Sequence, residues 1–225
     1  KISKVPLDII DEKQTDNYAG LEGKVKTKVF GQNKAIEKLV DSIMIAKAGL
    51  RPYNKPIGSF LFVGPTGVGK TEVCRQLADS LGIKLLKYDM SEYQEKHSVS
   101  KLIGAPPGYV GYAEGSIGSG QLINDVEDNP NCVLLLDEVE KSAPEVLQVL
   151  LQVMDDGKLT SSTGKTVMFN KVILCLTSNL GAQASEKPPM GIGRPDSVNA
   201  TDDYVKDFFA PEFRNRLDAT IQFNK

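Results

Sequence analysis

Gly64, Gly69, Lys70 and Thr71 stand at the spacing G-x-x-x-x-G-K-[ST], in the run Gly64-Pro65-Thr66-Gly67-Val68-Gly69-Lys70-Thr71. Holding a triphosphate calls for those residue types in that order. Glycines let the backbone curl until its N–H groups face an anion. The Lys70 ammonium can reach β- and γ-phosphates, and the Thr71 hydroxyl can ligate Mg²⁺. Further along, Asp137-Glu138 ends the apolar run Cys132-Val133-Leu134-Leu135-Leu136. Asp137 suits Mg²⁺ beside Thr71, and Glu138 can polarise a water for in-line attack on a γ-phosphate. Taken alone, each motif has a bland alternative: a glycine-rich turn that binds nothing, or two acids that only cap the next helix. Together they favour ATP hydrolysis.

These groups need strands and helices to hold them in place. Ser59 to Val63 reads as a buried strand running into the glycine loop, and Thr71 to Ala78 as a helix whose positive end meets the anion. Ile83 to Tyr88, Cys132 to Leu136, Val172 to Thr177 and Ala219 to Phe223 read as further strands. Their continuous apolar character is that of parallel strands covered on both faces. Leu21 to Val29, a segment from an Asn33 N-cap to Gly49, Gln121 to Asp128, Pro144 to Met154 and Asp202 to Phe209 read as helices. Gly157 to Asn170 reads as a hairpin. The stretch after Asp89 reads as a polar connection. The glycine- and proline-rich 104–120 and Ser185 to Ala200 read as loops, and Pro211 to Leu217 as a turn. Strands alternating with helices predict an α/β fold with a parallel open sheet, helices on both faces and a β-hairpin insertion. Ligands of such sheets sit at the strands' carboxyl ends, where Gly64–Thr71, Asp137-Glu138 and Asn179 all fall.

The chain has 225 residues, 40% hydrophobic and 25% charged, with a formal net charge of −2. That balance fits a globular protein and argues against nucleic acid or an anionic membrane as partner. No apolar run reaches transmembrane length, and the cysteine usage points to a cytoplasmic protein. Cys74, Cys132 and Cys175 lie in apolar patterns and read as reduced core residues. His97, in a polar stretch, reads as a solvated loop residue. A start at Lys1 rather than Met is expected of a fragment or a processed product.

In order, Gly64–Thr71, Gly108-Tyr109-Val110-Gly111, Leu134–Glu138, Thr177-Ser178-Asn179 and Phe213-Arg214-Asn215-Arg216-Leu217-Asp218 resemble the AAA+ ATPases of the Clp/Hsp100 family. The likeness is to the large subdomain of the second nucleotide-binding module, of the ClpA or ClpC type. It implies a P-loop fold over residues 21–225, with 1–20 as a linker from a preceding module and a small helical lid beyond the chain. It also implies that ATP and Mg²⁺ bind at Gly64–Thr71 and Asp137, with the segment Val29-Phe30-Gly31-Gln32, Val29 and Phe30 foremost, lining the adenine pocket. Asn179 becomes a sensor of the attacking water. Arg216 becomes an arginine finger acting on the neighbouring subunit, with Arg214 the weaker candidate. Gly108, Tyr109, Val110 and Gly111 become a pore loop gripping unfolded polypeptide, a task that suits an aromatic on a glycine-flanked loop.

Met190-Gly191-Ile192 resembles the tripeptide that docks into the ClpP peptidase, although relatives more often carry Leu or Phe where Ile192 stands. Gly115 to Gly120 looks longer than its counterpart in relatives. The implied partners are a homo-hexamer in the parent protein, ClpP, unfolded substrates and an adaptor protein. The rival readings are a disaggregase without a protease partner, a DNA-remodelling ATPase and a non-catalytic nucleotide-binding scaffold. The acidic balance disfavours the second and Glu138 the third.

Overall fold

The computed structural model describes residues 18, 20–50, 52–104, 120–161, 163–180 and 197–224. Its strands are β1 (Gly58–Val63), β2 (Lys84–Asp89), β3 (Cys132–Asp137), β4 (Lys158–Thr160), β5 (Thr166–Met168), β6 (Val172–Ser178) and β7 (Ala219–Gln222). Its helices are α1 (Leu21–Lys26), α2 (Asn33–Ile45), α3 (Lys70–Leu81), α4 (Lys96–Ile103), α5 (Gln121–Asp128), α6 (Pro144–Asp156), α7 (Ser197–Phe208) and α8 (Pro211–Arg214).

Five strands form one parallel sheet in the order β2-β3-β6-β1-β7. The three central strands are almost wholly buried, which is why their sequences are continuous apolar runs rather than alternating ones. Successive side chains still point to opposite faces. Phe60, Phe62, Val133, Leu135 and Ile173 pack with Leu21, Ile36, Leu39, Val73 and Leu77, from α1, α2 and α3. Leu61, Leu134, Leu136, Leu174 and Leu176 pack with Leu122, Val126, Leu150 and Val153, from α5 and α6. Each such side chain contributes about 1.5–3 kcal/mol of burial. The sheet is therefore a stiff slab held from both sides, with β4 and β5 as an antiparallel hairpin beside it.

Helix ends follow local chemistry. Val73, Cys74, Leu77, Ala78 and Leu81 give α3 one buried face. Gly82, at φ 67°, ends it by returning its N–H to Ala78 and Asp79. Pro144 opens α6 at its first turn, where no N–H is needed. All three cysteines are buried and free.

Some expectations need correction. Gln32, not Asn33, occupies the N-cap of α2, and no side chain caps that end. The helix then continues into a π-helical turn, Ala46–Leu50. The connection after β2 holds a 3₁₀ turn, Met90–Tyr93, and the helix α4, so His97 is solvent-exposed but helical. α7 begins at Ser197, inside the expected loop, and Pro211–Arg214 is a helical turn. Tyr109 with its neighbours, Gly115 to Ser119 and the Met190-Gly191-Ile192 tripeptide lie outside the described residues. Among the described residues no helix is long and apolar enough to cross a membrane.

Candidate active site

The phosphate-binding loop leaves β1 through Gly64, whose φ of 148° disfavours any side chain. A Cβ there would stand 2.3 Å from the Phe223 carbonyl oxygen. Thr66 and Gly67 form the exposed crest of the loop. Gly69, at φ 99°, turns the chain into α3, directing its first N–H groups at the loop's concave side. Val68 packs partly into the core below, and its carbonyl accepts a 3.2 Å bond from Gln32 Nε2. Lys70 is buried. Its Nζ donates to Gly64 O at 2.5 Å, Pro65 O at 2.9 Å and Asn179 Oδ1 at 2.8 Å. Burial holds the Lys70 ammonium below the usual lysine range, against the opposing pull of Glu140, Asp137 and Glu138.

Asp137 ends β3 next to Thr177 of β6. It accepts from Thr177 Oγ1 at 2.5 Å and from Thr71 Oγ1 at 3.4 Å, and pairs with Lys87 Nζ at 2.8 Å. A carboxylate and a hydroxyl, with few other protein oxygens, fit Mg²⁺, which keeps most of its shell as water and substrate phosphate. Thr71 and Asp137 are the residues that could hold it.

Glu138 is the one non-glycine among the described residues with a positive φ, at 57°. A left-handed residue without a glycine's freedom costs about 1–3 kcal/mol and persists only where its surroundings hold it. Here they do. Its N–H donates to Thr177 Oγ1 at 3.0 Å, Oε1 accepts from Asn179 Nδ2 at 2.7 Å, and Oε2 accepts from Lys141 Nζ at 2.5 Å. The Glu138 hydrogen bond in turn raises the Lys141 ammonium above its ordinary range. One Asn179 amide thus spans Lys70 and Glu138, while the Asn179 N–H donates to Glu140 Oε1 at 2.9 Å.

Other predicted residues lie apart from this cluster. Val29 is buried beside the loop; a Cβ at Gly69 would approach its Cγ1 to 3.5 Å. Phe30, by contrast, is 83% exposed. Arg216 Nε donates to both Asp155 oxygens, at 2.8 and 2.9 Å, at the end of α6. Arg214 Nε is taken up by the Phe209 carbonyl at 3.0 Å. Sequence reasoning placed Gln32 only within the adenine-pocket segment and gave no site role to Lys87, Glu140 or Thr177. Only Thr177 carried a signal, a hydroxyl ending an apolar strand level with an acidic pair.

A model of the AAA domain (Cdc48 subfamily) matches residues 55–220. The chain belongs to that family. The ClpA homolog protein of Fuscovulum blasticum is 53% identical over 223 residues, covering 99% of this chain and 28% of that protein. ClpE of Bacillus subtilis (strain 168), an ATP-dependent Clp protease ATP-binding subunit, is 45% identical over 97% of this chain and 32% of its own length. A closed-state cryoEM reconstruction of Hsp104:ATPyS and FITC casein superposes with TM-score 0.82 at 37% identity, over 98% of this chain and 38% of that one. The AAA domain described here is thus a nucleotide-binding ATPase module of the Clp/Hsp100 type, with the large-subdomain fold expected from its sequence. It spans about a quarter to a third of the curated relatives it matches.

Proposed function

We propose that this module is the ATP-hydrolysing motor of a hexameric, cytoplasmic protein unfoldase. The observation that carries the reading is the Asn179 amide, which joins Lys70 Nζ to Glu138 Oε1. Backbone N–H groups of Gly67 to Thr71 cradle the substrate's phosphates, and Lys70 binds the β- and γ-phosphates. Thr71 and Asp137 would hold Mg²⁺, which would offset charge on the phosphate oxygens. Thr177 fixes Asp137 and the backbone of Glu138 through a single hydroxyl. Glu138 takes the proton of the attacking water at a carboxylate oxygen, and the Asn179 amide fixes that carboxylate relative to Lys70. Val29 bounds the adenine side. Arg216, anchored at Asp155, serves the γ-phosphate of a neighbouring subunit. Residues 21–225 act as the large subdomain, with 1–20 as a linker.

Glu138→Gln in the intact protein is expected to lower turnover by about 100-fold or more while ATP affinity stays near wild type. Lys70→Ala should lose affinity. An equal loss of affinity in both variants would overturn the assignment of Glu138 as base.

Substrate work is assigned to the Tyr109 loop, Gly108 to Gly111, acting on unfolded polypeptide with or without an adaptor. Tyr109→Ala should keep hydrolysis and lose unfolding; equal loss of both would point to a packing role. Two readings of the motor's purpose have support. Met190-Gly191-Ile192, with the likeness to ClpE subunits of a Clp protease, favours delivery to ClpP. The likeness to the chaperone protein ClpB of Propionibacterium freudenreichii, 47% identical over 98% of this chain, favours disaggregation without a peptidase. Deleting Met190 to Gly193 should leave ATPase and unfolding intact and abolish ClpP-stimulated degradation. Unchanged degradation would leave disaggregation as the better account.

A further inference from the structure

Glu140 lies in the 3₁₀ turn Val139–Lys141, two residues beyond the proposed base. Its Oε1 accepts the Asn179 backbone N–H at 2.9 Å. Its Oε2 is shut off from solvent and has no hydrogen-bond partner among the described residues. A carboxylate that merely capped a loop would turn its second oxygen to water. Leaving a buried oxygen unsatisfied costs about 1–3 kcal/mol, more where it carries charge, so its retention asks for a reason.

That reason is supplied by what Glu140 holds. Asn179 is gripped from two sides: its side chain links Lys70 to Glu138, and its backbone is tied to Glu140. The same carboxylate is the foremost of the three that favour the charged form of buried Lys70. We propose that Glu140 is a positioning residue for ATP hydrolysis, setting the Asn179 backbone so that one amide spans the phosphate-binding lysine and the base. The proposal rests on the reading of Glu138 as base. Without the Glu140 oxygen, the Asn179 N–H loses its acceptor and the strand end is free to shift. A displacement of about 1 Å in such a constellation can cost on the order of 100-fold in rate.

The test compares Glu140→Ala and Glu140→Gln in the intact protein, by steady-state ATPase kinetics and by the Asn179 amide resonance under selective ¹⁵N-asparagine labelling. Glutamine keeps an oxygen that can accept the Asn179 N–H and lacks only the charge. Glu140→Ala should lower kcat by about 10- to 100-fold with KM little changed, and should move the Asn179 amide upfield. Glu140→Gln should restore the amide position and most of kcat. The proposal is overturned by wild-type kcat in Glu140→Ala, by a loss confined to KM, or by Glu140→Gln as impaired as Glu140→Ala. If Glu140→Ala does not fold, Glu140→Gln decides alone: a retained amide and turnover support the proposal, and a displaced amide or lost turnover overturns it. Glu138→Gln, assayed alongside, separates the two readings. Turnover in that variant removes the base assignment, whereas an unmoved Asn179 amide in Glu140→Ala with Glu138→Gln inactive removes only the role of Glu140.

Discussion

Gln32 and Asn224 stand 192 positions apart and are joined in both directions: Gln32 Nε2 donates to Asn224 O at 2.7 Å, and Asn224 N donates to Gln32 Oε1 at 3.4 Å. Gln32 also reaches Val68 O, so one buried amide ties the entry of α2 and the exit of β7 to the phosphate loop. Gln32→Leu would fill the space but leave those acceptors unpaired. A stability loss of about 1–3 kcal/mol is expected, with weaker ATP binding as the loop loosens. Chemical denaturation and nucleotide titration of the same variant check both.

Arg216 is held at Asp155, at the end of α6. If it serves a neighbour, Arg216→Ala should cut ATPase activity steeply without changing the ATP affinity of isolated monomers. Mixed with Lys70→Ala subunits it should recover some activity, because each subunit supplies what the other lacks. Failure to recover in well-mixed assemblies would argue for action within one chain.

The lowered pKa of Lys70 sets a sign for pH dependence. The unfolded chain keeps its proton up to the usual value of 10.5, while the folded chain gives it up earlier. Between those points the unfolded state binds more protons, so the burial penalty, present in full at lower pH, is lifted as pH rises. Binding runs the other way, because phosphate needs the ammonium. ATP affinity should begin to fall on the alkaline side before an ordinary lysine would titrate. Lys70→Arg, which stays protonated, should show a flat profile over that range in the same calorimetric titrations, whatever its absolute affinity.

Gly64→Ala tests the geometry of the loop's first residue. The added Cβ would strike the backbone oxygen of Phe223, whose own N–H bonds Val63 O at 2.8 Å. Relief requires β7 to move away from β1. A cost of about 2–3 kcal/mol, roughly 5–10 °C in Tm, is expected. An unchanged melting temperature would mean that β7 yields freely.

Much of this arrangement is legible in the sequence. Cys132–Leu136 and Val172–Thr177 announce buried parallel strands because no residue in them needs water, and the bounds of α5 follow from its apolar spacing and Pro130. α4 is hidden: its apolar residues Val99, Leu102 and Ile103 pack inward, but His97, Ser98 and Ser100 read as connection. The left-handed backbone at Glu138 is equally silent, since two of the bonds that sustain it come from Thr177 and Asn179, far along the chain. The bonds of Gln32 and the role of Glu140 go unmarked for the same reason. Their partners lie far along the chain, and a lone amide or acid looks like surface until the sheet folds it inward.

Lys70 is already satisfied by Gly64 O, Pro65 O and the Asn179 side chain. Phosphate oxygens arriving at its Nζ therefore displace existing bonds instead of adding new ones. Binding at this lysine is an exchange, and its net gain is the difference between two sets of acceptors. The affinity contributed by this lysine is therefore smaller than the number of its phosphate contacts would suggest.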